Sequence, residues 1–244
     1  MNIILALDTS GISSSVAVLH GGSTLVEITR MNPRKQHCEG FMPMLDRCLD
    51  IAGLSPQDLD AIACASGPGS FTGIRIGAAA AKGLAHAVGV GIIAVPTLDA
   101  LAYNVFNISE VVVPIMDARR GQVYTALYSW EDSRLTRLSE YECAMLDDVL
   151  NLLEERGQQA VFTGDATEPF RDVIISRGHR VSPENTRYVW ASSVGLMASD
   201  MMSTGYIPLD YGEFSPFYLR KPQAERELEH AKFINRYSET HSKG

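Results

Sequence analysis

Apolar residues come early in the chain and in short runs. Residues 2–8, 14–19 and 24–29 are β-rich and are separated by the glycine-bearing turns Ser10-Gly11 and Gly21-Gly22. This pattern predicts an antiparallel meander of three strands. From about residue 36 to 52 the spacing becomes helical. Phe41, Leu45, Cys48, Leu49 and Ala52 form one stripe, with Met42, Met44 and Ile51 set off it, so this helix carries more apolar surface than a single core contact requires. Ser55-Pro56-Gln57-Asp58 reads as an N-cap, a proline at the first helical position and an acid at the third. A strand at 60–65 follows and feeds a glycine loop. Beyond the loop, residues 74–88 form a helix whose Gly77, Gly83 and many alanines give it little side-chain bulk on several faces, so that another backbone can approach it closely.

A strand at 91–95 and a helix at 98–105 complete a first unit. A second series opens with strands again, at 111–116, 122–128 and 135–143. A helix at 147–156, a strand at 160–163 and helices at 168–176 and 191–203 follow. The order of the first half is thus repeated. The tail from about 222 to 237 is charged, with scattered apolar positions, and reads as a surface helix.

Composition narrows the function. With 244 residues, 45% of them apolar, the chain can bury a sizeable core in one large or two small domains. Apolar runs are broken by glycine or charge before the roughly 18 residues that span a bilayer, and no basic leader precedes the first strand, so a cytoplasmic protein with no membrane partner is expected. Cys38, Cys48, Cys64 and Cys143 are irregularly spaced and expected to be reduced, mostly buried thiols. A net charge of −8 argues against a general affinity for nucleic acid.

Two strand-end turns carry candidate chemistry: Leu7-Asp8-Thr9-Ser10-Gly11 and Met116-Asp117-Ala118-Arg119-Arg120-Gly121. In nucleotide-binding sheets such turns offer backbone N–H groups to phosphates, while the Asp holds a metal ion through water. That makes Asp8, Thr9, Ser10, Asp117 and Arg119 candidate nucleotide-phosphate residues. An isolated Asp-Thr-Ser also caps its own turn through the Asp side chain. Arg119-Arg120 alone is too small a basic patch to anchor a tRNA. The loop Gly67, Pro68, Gly69, Ser70, Phe71, Thr72, Gly73 is neither a Walker loop nor a dinucleotide fingerprint.

The longer string Ser66-Gly67-Pro68-Gly69-Ser70-Phe71-Thr72-Gly73-Ile74-Arg75-Ile76-Gly77 closely resembles the signature of the TsaB family, also called YeaZ. Ile4 to Ser10, Asp117 to Tyr124 and Tyr218-Leu219-Arg220 extend the resemblance over nearly the whole chain. It implies an α/β fold of the actin-like (ASKHA, ribonuclease H-like) type, duplicated into two small domains, 1–104 and 105–218, with the tail 219–244 packing on the first. It further implies a non-catalytic scaffold subunit supporting a TsaD-type transferase in forming N6-threonylcarbamoyladenosine next to the anticodon of tRNA. The implied partners are that catalytic paralogue, the ATPase TsaE and a second copy of the chain, with tRNA reached indirectly. No cofactor is expected on the isolated chain, and ATP or ADP is expected at the complex interface.

Pairing in the family runs through the first two helices as a helical bundle. His37, Phe41, Met42, Met44, Leu45, Cys48, Gly73, Gly77, Ala81 and Leu84 are therefore the expected interface, with Arg75 in the signature beside it. The catalytic paralogue has two metal-binding histidines four positions apart on a helix. At the comparable place this chain has Thr97 and Leu101, and no two of its six histidines lie three to five residues apart, so no metal centre is expected. Rival readings are an actin-fold small-molecule kinase, a metallopeptidase and a nucleotide-sensing binding module.

Overall fold

The computed structural model describes residues 2–31 and 40–220. His37 and the tail 221–244 lie outside the described residues.

Three strands open the chain, β1 (Ile3–Asp8), β2 (Ser13–His20) and β3 (Ser23–Met31), paired antiparallel as the alternation predicts. The helix α1 (Phe41–Ala52) ends at Gly53 in the left-handed region, and a capping box between Ser55 and Asp58 starts a one-turn 3₁₀ helix, Pro56–Asp58. β4 (Ala61–Gly67), α2 (Phe71–Val88), β5 (Gly91–Pro96) and α3 (Thr97–Tyr103) follow. α2 begins three residues before the expected position because Ser70 caps it, its hydroxyl accepting the Gly73 N–H at 3.3 Å.

The second series comprises β6 (Val111–Arg119), β7 (Gln122–Thr125), β8 (Tyr128–Glu131), β9 (Arg134–Arg137), β10 (Glu142–Met145), α4 (Leu146–Glu155) and β11 (Ala160–Thr163). It ends with α5 (Arg171–Ser176), β12 (Arg180–Val181) and α6 (Ala191–Ser203). The runs 122–128 and 135–143, expected as one strand each, are each split in two. At the break the Leu127 N–H donates to the Ser139 hydroxyl at 3.0 Å, so the ladder there passes through a side chain and the chain changes partner. β12 has only two residues, too short to leave an alternating pattern.

The sheet orders display the duplication. The first is β3-β2-β1-β4-β5 and the second β10-β7-β6-β11-β12, in which β6, β7 and β10 repeat the antiparallel trio and β11 and β12 the parallel pair. The β8–β9 hairpin is inserted into the second copy and attaches to β6. Asp8 and Asp117 thus come from the same strand, the first, of the two copies.

Alternation along β1 sets the layers. Leu5 and Leu7 face a core that includes Phe41, Leu45, Ala78 and Ala81 of α1 and α2, while Ile4 and Ala6 face one that includes Leu98 of α3 and Val194 and Ala198 of α6. A third core lies between the second sheet, α4 and α5. A boundary at 104/105 puts α6 in the second unit, but its packing belongs to the first. Gly195 approaches Leu19 so closely that a Cβ there would lie 2.1 Å from a methyl group, and Leu209 beyond α6 bridges to Ile92 of β5. Among the described residues, no helix is long and apolar enough to cross a membrane.

Candidate functional site

The first turn is built by contact with α2. The Thr9 hydroxyl donates to the Gly73 carbonyl at 2.7 Å and accepts the Gly77 N–H at 3.1 Å. A Cβ at Gly73 would sit 2.0 Å from the Thr9 carbonyl oxygen, and one at Gly77 2.6 Å from the Thr9 hydroxyl. Both glycines are therefore required by an approach inside the chain. Asp8 accepts the Ser10 N–H at 3.0 Å and the Ser10 hydroxyl at 2.5 Å through Oδ1. Its Oδ2 is buried with no hydrogen-bond partner among the described residues. Burial pushes the Asp8 carboxyl up to about 7. Asp8, Thr9 and Ser10 are all buried, so this turn is sealed.

The signature loop is clasped from both sides. The Ser70 N–H donates to the Ser10 carbonyl at 2.7 Å. Gly69, in the left-handed region at φ 156°, leaves only 2.4 Å between an added Cβ and that same carbonyl oxygen. From the other side comes the segment 214–220. The Phe217 N–H donates to the Ser66 carbonyl at 2.7 Å, and the Phe217 carbonyl oxygen would lie 2.2 Å from a Cβ at Gly67. The Tyr218 hydroxyl accepts from Arg75 Nε at 3.2 Å, and its ring packs on Phe71 with centroids 5.3 Å apart. The Arg75 guanidinium lies over that Phe71 ring at 3.9 Å. Arg220 crosses to the second copy, donating to the Ala118 carbonyl at 2.9 Å. This explains why Tyr218-Leu219-Arg220 belongs with the loop although 140 residues separate them.

Thr97 and Leu101, at the place of the paralogue's histidine pair, have structural work. The Thr97 hydroxyl accepts the Gly67 N–H at 3.1 Å, and Leu101 is fully packed in the core. Between them Asp99 accepts hydrogen bonds from the Tyr128 and Tyr141 hydroxyls at 2.6 and 2.7 Å. Burial raises the Asp99 carboxyl, and burial beside it raises both phenols. This trio joins α3 to the inserted hairpin through Tyr128 and to the connection between β9 and β10 through Tyr141. Sequence reading missed it, since an acid in a first helical turn looks like an ordinary dipole partner.

Asp117 behaves differently from Asp8. It is exposed, accepts the Arg119 N–H at 2.8 Å and lies 3.8 Å from the Arg119 guanidinium. Its own N–H donates to Asp165 Oδ1 at 3.2 Å. A cavity of about 420 Å³ opens nearby, lined by Ile12, Gly164, Asp165, Glu168, Arg171 and Arg187 among others. Arg187 is engaged there by Glu168 at 2.9 Å and by the Ser182 carbonyl at 2.8 Å. Asp8 does not line this cavity, and Asp117 reaches it only through its hydrogen bond to Asp165. Gly164, at φ 111°, shapes this turn, since a Cβ there would lie 2.1 Å from the Ile115 carbonyl oxygen.

The expected interface is corrected in part. Phe41, Met44, Leu45 and Cys48 are buried in the core under α1, and Gly73, Gly77 and Ala81 are buried on the inner side of α2. Met42 and Ile51 are exposed, at 48% and 52%, but flank a face that also carries Asp46, Arg47 and Asp50. The exposed positions of α2 are Thr72, Arg75, Ala79, Gly83, His86 and Ala87, with Ile76, Ala80, Lys82 and Leu84 half-buried. An added Cβ at Gly83 meets nothing within 4 Å.

Comparison with known proteins agrees with this architecture. The sequence profile of the family described as "TsaD: tRNA N6-adenosine threonylcarbamoyltransferase" matches residues 31–201. The tRNA threonylcarbamoyladenosine biosynthesis protein TsaB of Bacillus subtilis is 38% identical over 172 residues, 70% of this chain and 74% of that protein. TsaB of Escherichia coli is 30% identical over 232 residues, 92% and 97% of the two chains. Among solved structures, YeaZ from Pseudomonas aeruginosa superposes with a TM-score of 0.74 at 26% identity, covering 90% of this chain and all of that one. The ethanolamine utilization protein EutJ from Carboxydothermus hydrogenoformans shares the fold at a TM-score of 0.50 and 12% identity, over 80% of this chain and 89% of that one. The fold is the duplicated actin-like α/β fold.

Proposed function

The chain belongs to the TsaB (YeaZ) family of tRNA threonylcarbamoyladenosine biosynthesis proteins, and from that membership we propose that it is the non-catalytic scaffold of a cytoplasmic TsaD-type transferase. The carrying observation is the outward face of α2. Small Ala79, Gly83 and Ala87 stand there alongside exposed Arg75 and His86, and Gly83 opens onto free space in mid-helix, where glycine costs about 1 kcal/mol relative to alanine. A backbone approaching from another chain gives that glycine a use. Met42, on α1, which shares the core under α2, adds apolar surface worth roughly 1.5–3 kcal/mol if an association buries it.

A supporting role, with no transfer chemistry of its own, is further favoured by the structural employment of Thr97 and Leu101. In this reading TsaE and a nucleotide, ATP or ADP, join at the assembled interface, and a second copy of the chain occupies the same face when the transferase is missing. The test is sedimentation of wild type and Met42→Glu, alone and mixed with the transferase from the same cell. Wild type should form the complex and the variant should lose it while keeping its monomer fold. Equal association of both would place the interface elsewhere.

A further inference from the structure

The segment that clasps the signature loop brings together groups far apart in sequence. Phe217 and Tyr218 cross between the two copies of the fold and are 36% and 37% exposed as whole residues, each ring keeping one aromatic neighbour, Tyr141 for Phe217 and Phe71 for Tyr218. On one side of them stands exposed Arg75, stacked on Phe71. On the other, Arg220 binds the Ala118 carbonyl and so anchors the segment next to the hairpin tip at Arg119 and Arg120. In a chain of net charge −8, one segment thus links exposed Arg75, through Tyr218 and the half-buried Arg220, to the exposed arginines of the hairpin tip.

The tip supplies an independent observation. Arg119 and Arg120 both lie in the left-handed region, at φ 70° and 58°. The two-residue tip between the paired Arg119 and Gln122 is Arg120-Gly121, Arg119 standing at the register shift after Asp117, and a residue other than glycine or asparagine adopts this conformation at an energetic cost. The cost is borne here by two consecutive arginines, both exposed. Asp117 sits beside Arg119 and moderates its charge, while Arg120 has no ion pair with a described carboxylate within 4 Å.

We infer that this segment and the Arg119-Arg120 tip form a contact surface for single-stranded RNA. Arginines on a projecting tip meet phosphates, and exposed aromatic rings give unstacked bases a platform without demanding a particular base. The surface is small, so it supplements a partner's grip on the RNA. The inference rests on the proposed role beside a tRNA-modifying transferase, since that role supplies an anticodon-region loop as the strand.

The test uses the full chain with a 17-nucleotide anticodon stem-loop, by ultraviolet crosslinking at low salt and by titration of the chain–transferase mixture at several salt concentrations. Crosslinks should map to Phe217 and Tyr218. Arg119→Gln with Arg120→Gln should weaken the mixture's RNA affinity about tenfold and lower its salt slope by about two. Tyr218→Leu should weaken it at least fivefold with an unchanged slope. Should Tyr218→Leu unfold, the exposed double-arginine variant still decides. Unchanged binding, or crosslinks confined elsewhere, overturns the inference. So does a double variant that loses ATP binding while RNA binding stays whole, which would assign the tip to a free nucleotide's phosphates. Crosslinking of the isolated chain needs no transferase, and sedimentation reports pairing separately, so loss of the scaffold reading is distinguishable from loss of this one.

Discussion

Thr9 grips Gly73 from below the signature loop: its hydroxyl donates to the glycine carbonyl at 2.7 Å while its own carbonyl oxygen fills the space a Cβ would need. The consequence is a first turn and a second helix that cannot move apart or be padded. Gly73→Ala should destabilise the monomer by roughly 3 kcal/mol, because backbone must shift to admit the methyl group. Thr9→Val, which keeps the shape and removes the hydroxyl, should cost roughly 1 kcal/mol, because it loses the bridge while the Gly73 carbonyl and the Gly77 N–H still have each other as i→i−4 helix partners. Thr9→Ser should cost less. Urea unfolding of the three variants ranks them, and a Gly73→Ala protein as stable as wild type contradicts the contact.

Asp99 is expected to hold the inserted hairpin against α3. Asp99→Ala leaves the hydroxyls of buried Tyr128 and half-buried Tyr141 without their acceptor, a loss of about 3 kcal/mol. For a chain of this length that lowers the melting temperature by roughly 6–12 °C. Asp99→Asn retains an acceptor oxygen and should lose much less. Hydrogen exchange should show the loss concentrated in β8 and β9, and uniform loss through the first sheet would assign Asp99 a different role.

Much of this architecture was legible in the chain. The opening meander, the α2 glycines and the repeat of strands before helices are local patterns, and each appeared where the sequence put it. Contacts made across long separations were not legible. Gly73 and Gly77 announce close packing, but only the folded chain reveals that the packing partner is Thr9. Met44 lies three residues after Phe41 and four before Cys48, so helical geometry puts it on the buried stripe, where the structure places it. Counting it as surplus surface overstated how apolar the exterior of α1 is. The turn at Asp8 resembled a phosphate site because its residue types suit one, and its burial depends on α2 and the loop 67–73 closing over it.

Burial of Asp8 has a pH signature. Its carboxyl is ordinarily at 3.8 and is pushed to about 7 in the folded chain, so the folded state binds the proton more tightly than the unfolded state does. The stabilisation is fully present below pH about 4, is lost as pH rises towards 7, and changes no further above that. A shift of this size corresponds to on the order of 4 kcal/mol. Asp8→Asn stays neutral throughout and should lack this component. Relative to wild type, the variant's stability should therefore improve between pH 5 and pH 8 in urea titrations. A constant difference across that range would mean that Asp8 is ionised throughout.

Gly83 separates what the monomer needs from what an assembly needs. Nothing lies within 4 Å of a Cβ built there, its position is mid-helix, and its neighbours one turn away are Ala79, Ala80, His86 and Ala87. In an isolated chain Gly83→Ala should stabilise by about 0.5–1 kcal/mol, because alanine lowers the backbone entropy lost in the helix and meets no obstacle. Gly83→Leu should also be tolerated, since its side chain projects into solvent. If another helix backbone packs on this face, the same leucine must push it away, and association should fall by at least tenfold while the melting temperature of the monomer holds or rises. Opposite signs for the two measurements are the expected result, from thermal unfolding of the dilute chain and sedimentation of the transferase mixture. A leucine variant that is folded and associates as wild type does would remove α2 from the interface and leave Gly83 without an explanation in packing.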